Sequence, residues 1–324
     1  MKLFLTGGTG FIGGHVARLL RNRGDQVVAL VRSPEKAGEL REWGCELLAG
    51  DLSDEAVLRE GLKDSEALIH CAAVYQVGIM PKDRPAMYAA NVTGTGNIME
   101  AALQAGIPRM VYVSTCATFG DTKTKVVDES YQNPGVHASY YDETKYLAHK
   151  LVEKMIVERK LPCSIAIPGG VYGPNDPSDA GNTMRMFLDG KLPMKVLPRL
   201  GVLMAHVEDI AAGILLVLDK GGVGEEYVLG GEKVTMDELL DKLAAVAGKK
   251  PPRVTLPTWL LRVLSPLGPA TSRFTGFPPN LREVIHTGSS TYWASDAKAR
   301  RELGYASRAL EEGLRQTLSA EGYV

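Results

Sequence analysis

The chain has 324 residues, 45% of them hydrophobic and 23% charged, with 37 basic and 38 acidic side chains for a formal net charge of −1. Those values are those of an ordinary globular protein and are large enough for a main domain with a smaller attached lobe. The balance of charge argues against nucleic acid or an anionic membrane as the main partner, although a local basic patch can hide in such an average. Cys45, Cys71, Cys116 and Cys163 lie far apart with no C-x-x-C pair, which suits reduced thiols better than a disulfide framework or a zinc cage. The apolar start Leu3-Phe4-Leu5 is cut by Thr6-Gly7-Gly8-Thr9-Gly10, too early for a secretory leader. No run reaches the roughly eighteen apolar residues of a membrane span. The expectation is a soluble, cytoplasmic protein with no membrane insertion.

Six short apolar runs follow one another in the first half: Leu3-Phe4-Leu5, Val27-Val28-Ala29-Leu30-Val31, Glu46-Leu47-Leu48-Ala49, Ala67-Leu68-Ile69, Met110-Val111-Tyr112-Val113 and Ser164-Ile165-Ala166-Ile167. Near-continuous apolar strands belong to a parallel sheet covered on both faces. Helical patterns separate them at 12–23, 34–42, 54–62, 88–105 and 141–160. This alternation predicts an α/β fold, a Rossmann-type doubly wound parallel sheet with ligands at the carboxyl ends of its strands. After Pro168 the rhythm changes: Pro174-Asn175-Asp176-Pro177-Ser178-Asp179 is loop chemistry, and 251–279 is rich in proline. The predicted division is a dinucleotide-binding domain over 1–167, rejoined by 204–218. A smaller C-terminal substrate-binding lobe would take 168–203 and 219–324, with late helices at 295–303 and 309–320.

Between the first strand and the first helix stands Thr6-Gly7-Gly8-Thr9-Gly10-Phe11-Ile12-Gly13, with glycines spaced G-x-x-G-x-x-G. Gly7 and Gly10 permit a tight turn and let a pyrophosphate approach backbone N–H groups at the positive helix end. Gly13 lets helix and strand pack closely. At the end of the second strand an acidic residue would hold the ribose 2′-OH of NAD(H). Here stand Arg32 and, beyond it, Lys36, which favour the 2′-phosphate of NADP(H); the alternative for Arg32 is a solvated surface charge. Asp51 is placed to accept from the adenine amino group, to cap the following helix, or both. His70 reads as a hydrogen-bonded neighbour of this loop.

The stretch 138–150 contains Y-x-x-x-K twice, as Tyr141/Lys145 and as Tyr146/Lys150. Either pair shares a helix face, but five residues rotate a helix by about 140°, so the two pairs face different ways. No cluster with metal-ligand spacing is visible, so no metal is expected.

Together, the glycine turn, Asp51-Leu52, His70-Cys71-Ala72-Ala73, Asn91-Val92-Thr93-Gly94-Thr95, Val113-Ser114-Thr115, Tyr141/Lys145 and Pro168-Gly169-Gly170-Val171-Tyr172-Gly173-Pro174 resemble the extended short-chain dehydrogenases/reductases of the NAD-dependent epimerase/dehydratase group. The resemblance runs on through His206-Val207-Glu208-Asp209 and is strongest to dihydroflavonol-4-reductase-like reductases and the hopanoid-associated sugar epimerases. It implies a catalytic Thr115 (Ser114 the runner-up), Tyr141 and Lys145, because Thr144 and Ala148 around Lys145 match the family pattern and His149 and Glu153 around Lys150 do not. Asn91 matches an asparagine that can hold a relay water, with a helix cap or kink as the other reading. Phe11, Ile12, Leu52, Ala72, Ala73, Pro168 and Val171 complete the implied cofactor contacts. Cys116 reads as a small buried thiol.

The resemblance further implies a homodimer through the helices at 88–105 and 141–160. The expected activity is hydride transfer between NADP(H) and a small-molecule carbonyl or alcohol. A nucleotide-sugar epimerase needs arginine forks for a diphosphate. Many sugar-nucleotide relatives carry one such arginine four residues before the histidine-valine pair, where this chain has Val202. Trp259, Leu260, Leu261, Phe274 and Phe277 suggest an apolar wall or the lobe's own core, while Arg199, Arg253, Arg273 and Arg282 could reach a diphosphate from elsewhere. A non-catalytic dinucleotide sensor is the third reading; such proteins usually lose the tyrosine or lysine kept here.

Overall fold

A computed structural model describes residues 1–267 and 278–324. The six predicted strands form as β1 (Lys2–Thr6), β2 (Gln26–Val31), β3 (Glu46–Ala49), β4 (Ala67–His70), β5 (Met110–Val113) and β6 (Cys163–Pro168). Two short strands, β7 (Gly170–Tyr172) and β8 (Gly201–His206), leave the main layer before β9 (Glu226–Leu229) and β10 (Glu232–Thr235). The main sheet has seven parallel strands in the order β3-β2-β1-β4-β5-β6-β9. Chain direction across the sheet reverses between β1 and β4, which opens the crevice where such folds take their ligands.

Helices α1 (Phe11–Asn22), α2 (Gly38–Glu42), α3 (Glu55–Leu62), α4 (Arg84–Tyr88), α5 (Gly94–Gln104), α6 (Tyr140–Arg159), α7 (Asp179–Leu188) and α8 (Val207–Lys220) follow in order. Side chains alternate across the strands: Phe4, Leu68, Tyr112 and Ile165 enter one layer with Ile98 and Val152, and Leu3, Leu5, Ile69 and Val111 enter the other with Val16, Leu20 and Ile214. Both layers are buried, as near-continuous apolar strands require.

The structure differs from the sequence expectation in several places. The predicted helix at 34–42 is a 3₁₀ turn, Pro34–Lys36, followed by α2. The predicted helix at 88–105 is α4, one π-helical turn over Ala89–Thr93, and α5. And β9, in the stretch expected to belong to the smaller lobe, is the seventh strand of the main sheet. Its Tyr227, Val228 and Leu229 are buried beside β6, which would otherwise be an open edge.

A second sheet, β10-β8-β7, joins β8 parallel to β7 and antiparallel to β10. Thus 204–206 lie in the small sheet, and α8 returns to pack on α1. The small sheet carries α7, α9 (Met236–Val246) and, after α10 (Thr258–Leu264), α11 (Leu281–Thr287) and α12 (Ala297–Leu303), the last helix α13 (Leu310–Ala320). Tyr172, Phe187, Leu239, Leu243 and Leu314 form this lobe's core. No described helix is long and apolar enough to cross a membrane.

Candidate active site

The glycine turn lies at the carboxyl end of β1. Gly7 has a φ of +77°, and a Cβ there would stand 2.6 Å from the Ala72 nitrogen; at Gly13 it would stand 2.1 Å from the Gly7 carbonyl oxygen. No side chain caps α1, so the N–H groups of its first residues, Phe11 and Ile12, are left for a ligand. This cradle fits a pyrophosphate. Arg32 is exposed at the end of β2, across from Asp51. Hydrogen bonds from the Ser53 hydroxyl and N–H hold the Asp51 carboxyl below its usual range, with the Arg32 charge adding to them. Asp51 does not cap α3. Asp54 does, accepting from the N–H groups of Ala56 and Val57 at 3.1 Å. Lys36 is exposed on the 3₁₀ turn, and Leu52 packs on Gly94.

Beneath the turn, His70 bridges the hydroxyls of Thr6 (2.6 Å) and Thr95 (2.9 Å), and Thr6 accepts from the Ala72 N–H at 3.4 Å. Burial lowers the His70 imidazole to about 3, so it is neutral. Its role is to tie β1, β4 and α5 behind the ligand loop. Ala73 is exposed on the loop that follows β4. Pro168 ends β6, Val171 lies in β7, and a Cβ at Gly173 would touch the Phe11 ring, so this loop walls the glycine turn.

Across the crevice, α6 begins at Tyr140, where the Ser139 hydroxyl caps it by accepting from the Asp142 N–H at 3.1 Å. Its first turn carries Tyr141, whose phenol is pushed well above its ordinary value. Burial is the main cause, then Tyr75, Asp142 and Tyr112, while the Thr115 side chain pulls the other way. Thr115 caps the 3₁₀ turn Cys116–Phe119 by accepting from the Ala117 N–H at 3.2 Å, which leaves its own proton free to donate. The runner-up, Ser114, is turned to His149 at 2.8 Å and buried. Lys145 is buried one turn on, its ammonium donating to the Val113 carbonyl at 3.0 Å and lying 4.8 Å from the centre of the Tyr112 ring. Burial lowers it to about 8. The Cys116 thiol is buried, and burial raises it.

Asn91 sits on the π-helical turn. Its amide accepts from the Val74 N–H (2.7 Å) and donates to the Val74 carbonyl (3.0 Å) and the Thr144 hydroxyl (3.0 Å), which in turn donates to the Tyr141 carbonyl at 2.9 Å. Both amide protons are thereby used, so Asn91 holds the first turn of α6 against the 72–75 loop. Tyr75, which the sequence reading did not single out, stands edge-on to Tyr141 with ring centres 4.8 Å apart and is 56% exposed at the cleft mouth. Its loop, Ala72-Ala73-Val74-Tyr75-Gln76-Val77, carries no motif that marks it.

Tyr146 lies elsewhere, against His137 and beneath Lys150. On that face the ligand atoms of His149, Glu153 and Glu226 lie within 4.8 Å of one another; His149 and Glu153 are one helical turn apart, and only Glu226 is brought in from a distant part of the sequence. Lys150 already pairs with Glu153 at 2.7 Å. Val202 is half-buried and packs against the small-lobe core that holds Met204 and Val234. Leu261 is buried and Trp259 is exposed; Phe274, Phe277 and Arg273 lie outside the described residues. Arg199 and Arg253 are exposed. Arg282 lines a cavity of about 230 Å³ with Arg262, Ile285, His286 and Ser289.

With this geometry in place, comparison with known proteins is direct. The model of the NAD dependent epimerase/dehydratase family matches residues 3–230. The chain belongs to that family. It is 31% identical, over 95% of its length and 92% of the relative's, to 4-hydroxy-2-methyl-3-oxo-4-farnesyl-3,4-dihydroquinoline-1-oxide ketoreductase of Stigmatella aurantiaca. It is 30% identical, over 94% and 93%, to sterol demethylase protein B of Methylococcus capsulatus. A solved structure titled gox2253 superposes with a TM-score of 0.84 at 34% identity, covering 98% of this chain and 97% of its own. Family and relatives make this family member an NAD(P)-dependent enzyme.

Proposed function

We propose that this family member reduces a ketone or aldehyde on a largely apolar substrate, with NADP(H) bound at the glycine turn and Tyr141 as proton donor. The observation that carries the reading is the placement of three side chains: half-buried Tyr141 on the first turn of α6, Lys145 buried one turn on, and Thr115 just past the end of β5 with its hydroxyl proton free. The bound nicotinamide supplies hydride. A carbonyl that accepts it becomes an alkoxide and needs a proton as it forms. Thr115 donates to the substrate oxygen and Tyr141 gives the proton. Lys145, charged below about 8, steadies the phenolate left behind. Asn91 positions Tyr141 through Thr144. Arg32, beside Asp51, recognises the 2′-phosphate.

Three observations support an apolar substrate. Val202 occupies a position where many nucleotide-sugar enzymes place an arginine, and its half-buried side chain packs against the lobe core. Tyr75 offers an aromatic edge at the cleft mouth. Two relatives matched along nearly their whole length carry a farnesylated ketone and a sterol in their names. The nucleotide-sugar epimerase reading has one observation of the structure in its favour, that Arg262 and Arg282 line the same cavity.

The test is calorimetry on the cofactor-loaded protein with UDP-sugars and with aromatic and polycyclic ketones, alongside NADPH consumption. Ketone-dependent NADPH loss is expected. Micromolar UDP-sugar binding with no NADPH loss on any carbonyl would refute the reading. We also propose a homodimer through α5 and α6, supported by the exposed Leu147 and Val157 on α6; a monomer in sedimentation at working concentration would refute it.

A further inference from the structure

The balanced charge of the whole chain conceals an uneven distribution. Residues 242–282 carry Lys242, Lys249, Lys250, Arg253, Arg262, Arg273 and Arg282, and none of the chain's 38 acids. Lys242 is tied to Glu232 and Glu311, and Arg273 lies outside the described residues. Lys249 donates to the Leu188 carbonyl, and Lys250, Arg253, Arg262 and Arg282 are exposed. Large apolar side chains protrude from the same stretch: Trp259 is 66% exposed, Val263 65% and Val254 58%, and Arg262 and Arg282 line one cavity beside α10. Trp259 and Val263 are one turn apart on α10, so they share a face, with Arg262 beside Val263. Cations around a protruding tryptophan and aliphatic groups are the chemistry of a lipid interface. Headgroup phosphates take the charge, and the apolar side chains enter the acyl boundary. A nucleic-acid backbone would use the cations and leave the valines in water.

This surface borders the cleft. α10 packs on α11, and Glu283 of α11 accepts hydrogen bonds from the N–H groups of Gly78 (2.6 Å) and Tyr140. The first belongs to the loop carrying Tyr75, the second to the residue before Tyr141.

We propose that α10 and its flanking cations are a docking surface for an anionic lipid bilayer. The contact is peripheral, since α10 has seven residues. It sets the cleft mouth at the bilayer, so that an apolar substrate enters without crossing water. That last consequence rests on the reductase reading above; the docking itself does not.

The experiment is flotation of the full-length protein, without substrate, on vesicles of phosphatidylcholine alone or mixed equally with phosphatidylglycerol. Binding to the anionic vesicles only, weakened by salt, is expected, with a blue shift of tryptophan emission that W259F abolishes. Each cation near an anionic surface strengthens binding about fivefold. The K250E/R253E/R262E variant, its fold checked by circular dichroism and cofactor binding, should therefore bind at least about a hundredfold more weakly. Absence of binding by the parent, equal binding by the triple variant, an unchanged emission shift in W259F, or tighter binding to a DNA duplex than to the vesicles would each overturn the proposal. An inactive enzyme that still floats would count only against the reductase reading.

Discussion

Replacing Lys145 by methionine should stabilise the protein while abolishing its activity. Lys145 is 3% exposed, and burial lowers its ammonium from 10.5 to about 8. At about 1.4 kcal/mol per pH unit, keeping it charged inside the fold costs about 3 kcal/mol at neutral pH. Methionine fills much of the same volume without the charge. The substitution forfeits the hydrogen bond to the Val113 carbonyl and the contact with the Tyr112 ring, together about 1–2 kcal/mol. The net is a gain of about 1–2 kcal/mol, or about 2–4 °C in Tm for each kcal/mol. Between pH 8 and 10.5 the unfolded chain holds the proton that the folded one has released. The parent's stability therefore rises with pH across that window. The advantage of K145M is full below it, shrinks through it and vanishes above it. Thermal unfolding of the cofactor-free proteins at pH 7 and across that window reads both effects. A K145M protein less stable than the parent at pH 7 would refute the reasoning, because it would mean that the buried ammonium is more than compensated in place.

Tyr141→Phe should lower turnover by about 10²–10⁴ with cofactor affinity unchanged, whereas Tyr146→Phe, on the other face of α6, should leave the rate near the parent's; steady-state kinetics showing the reverse would exchange the two roles. A methyl group at Gly13 would collide with the Gly7 carbonyl, so Gly13→Ala should cost about 1–3 kcal/mol of stability and weaken cofactor binding. Gly38, where an added methyl would have nothing within 4 Å, should accept alanine without loss, and equal denaturation midpoints for the two variants would contradict the close approach. Arg32→Asp should weaken NADP(H) roughly tenfold or more relative to NAD(H) in fluorescence titration; equal affinity of the parent for both cofactors would remove Arg32 from the site.

Six strands and the ligand loop were legible because buried parallel strands are continuous apolar runs and a pyrophosphate turn demands glycine at fixed positions. β9 was not: Glu226-Tyr227-Val228-Leu229 is four residues long, and nothing in its composition tells which sheet it will join. The π-helical turn was hidden for a different reason. Helical periodicity runs straight through Ala89–Thr93, and the widening is set by the reach of Asn91 to Val74 and Thr144, a tertiary demand. The Tyr141/Lys145 frame followed from the family pattern around it. Tyr75 depends on how the loop after β4 folds back over α6, and the meeting of His149 with Glu226 depends on the pairing of β9 with β6.

The place of β9 also bears on how the chain is made. β6 is buried along its whole length in the finished protein, yet its neighbour is synthesised about sixty residues later, after the excursion through β7, α7, β8 and α8. At roughly 5–20 residues per second, a nascent chain presents that apolar strand, unpaired along one side, for several seconds. A ribosome that stalls, or a gene cut short, between 170 and 225 leaves a nearly complete sheet with an adhesive border. Holdase chaperones should be recruited to this protein during that interval.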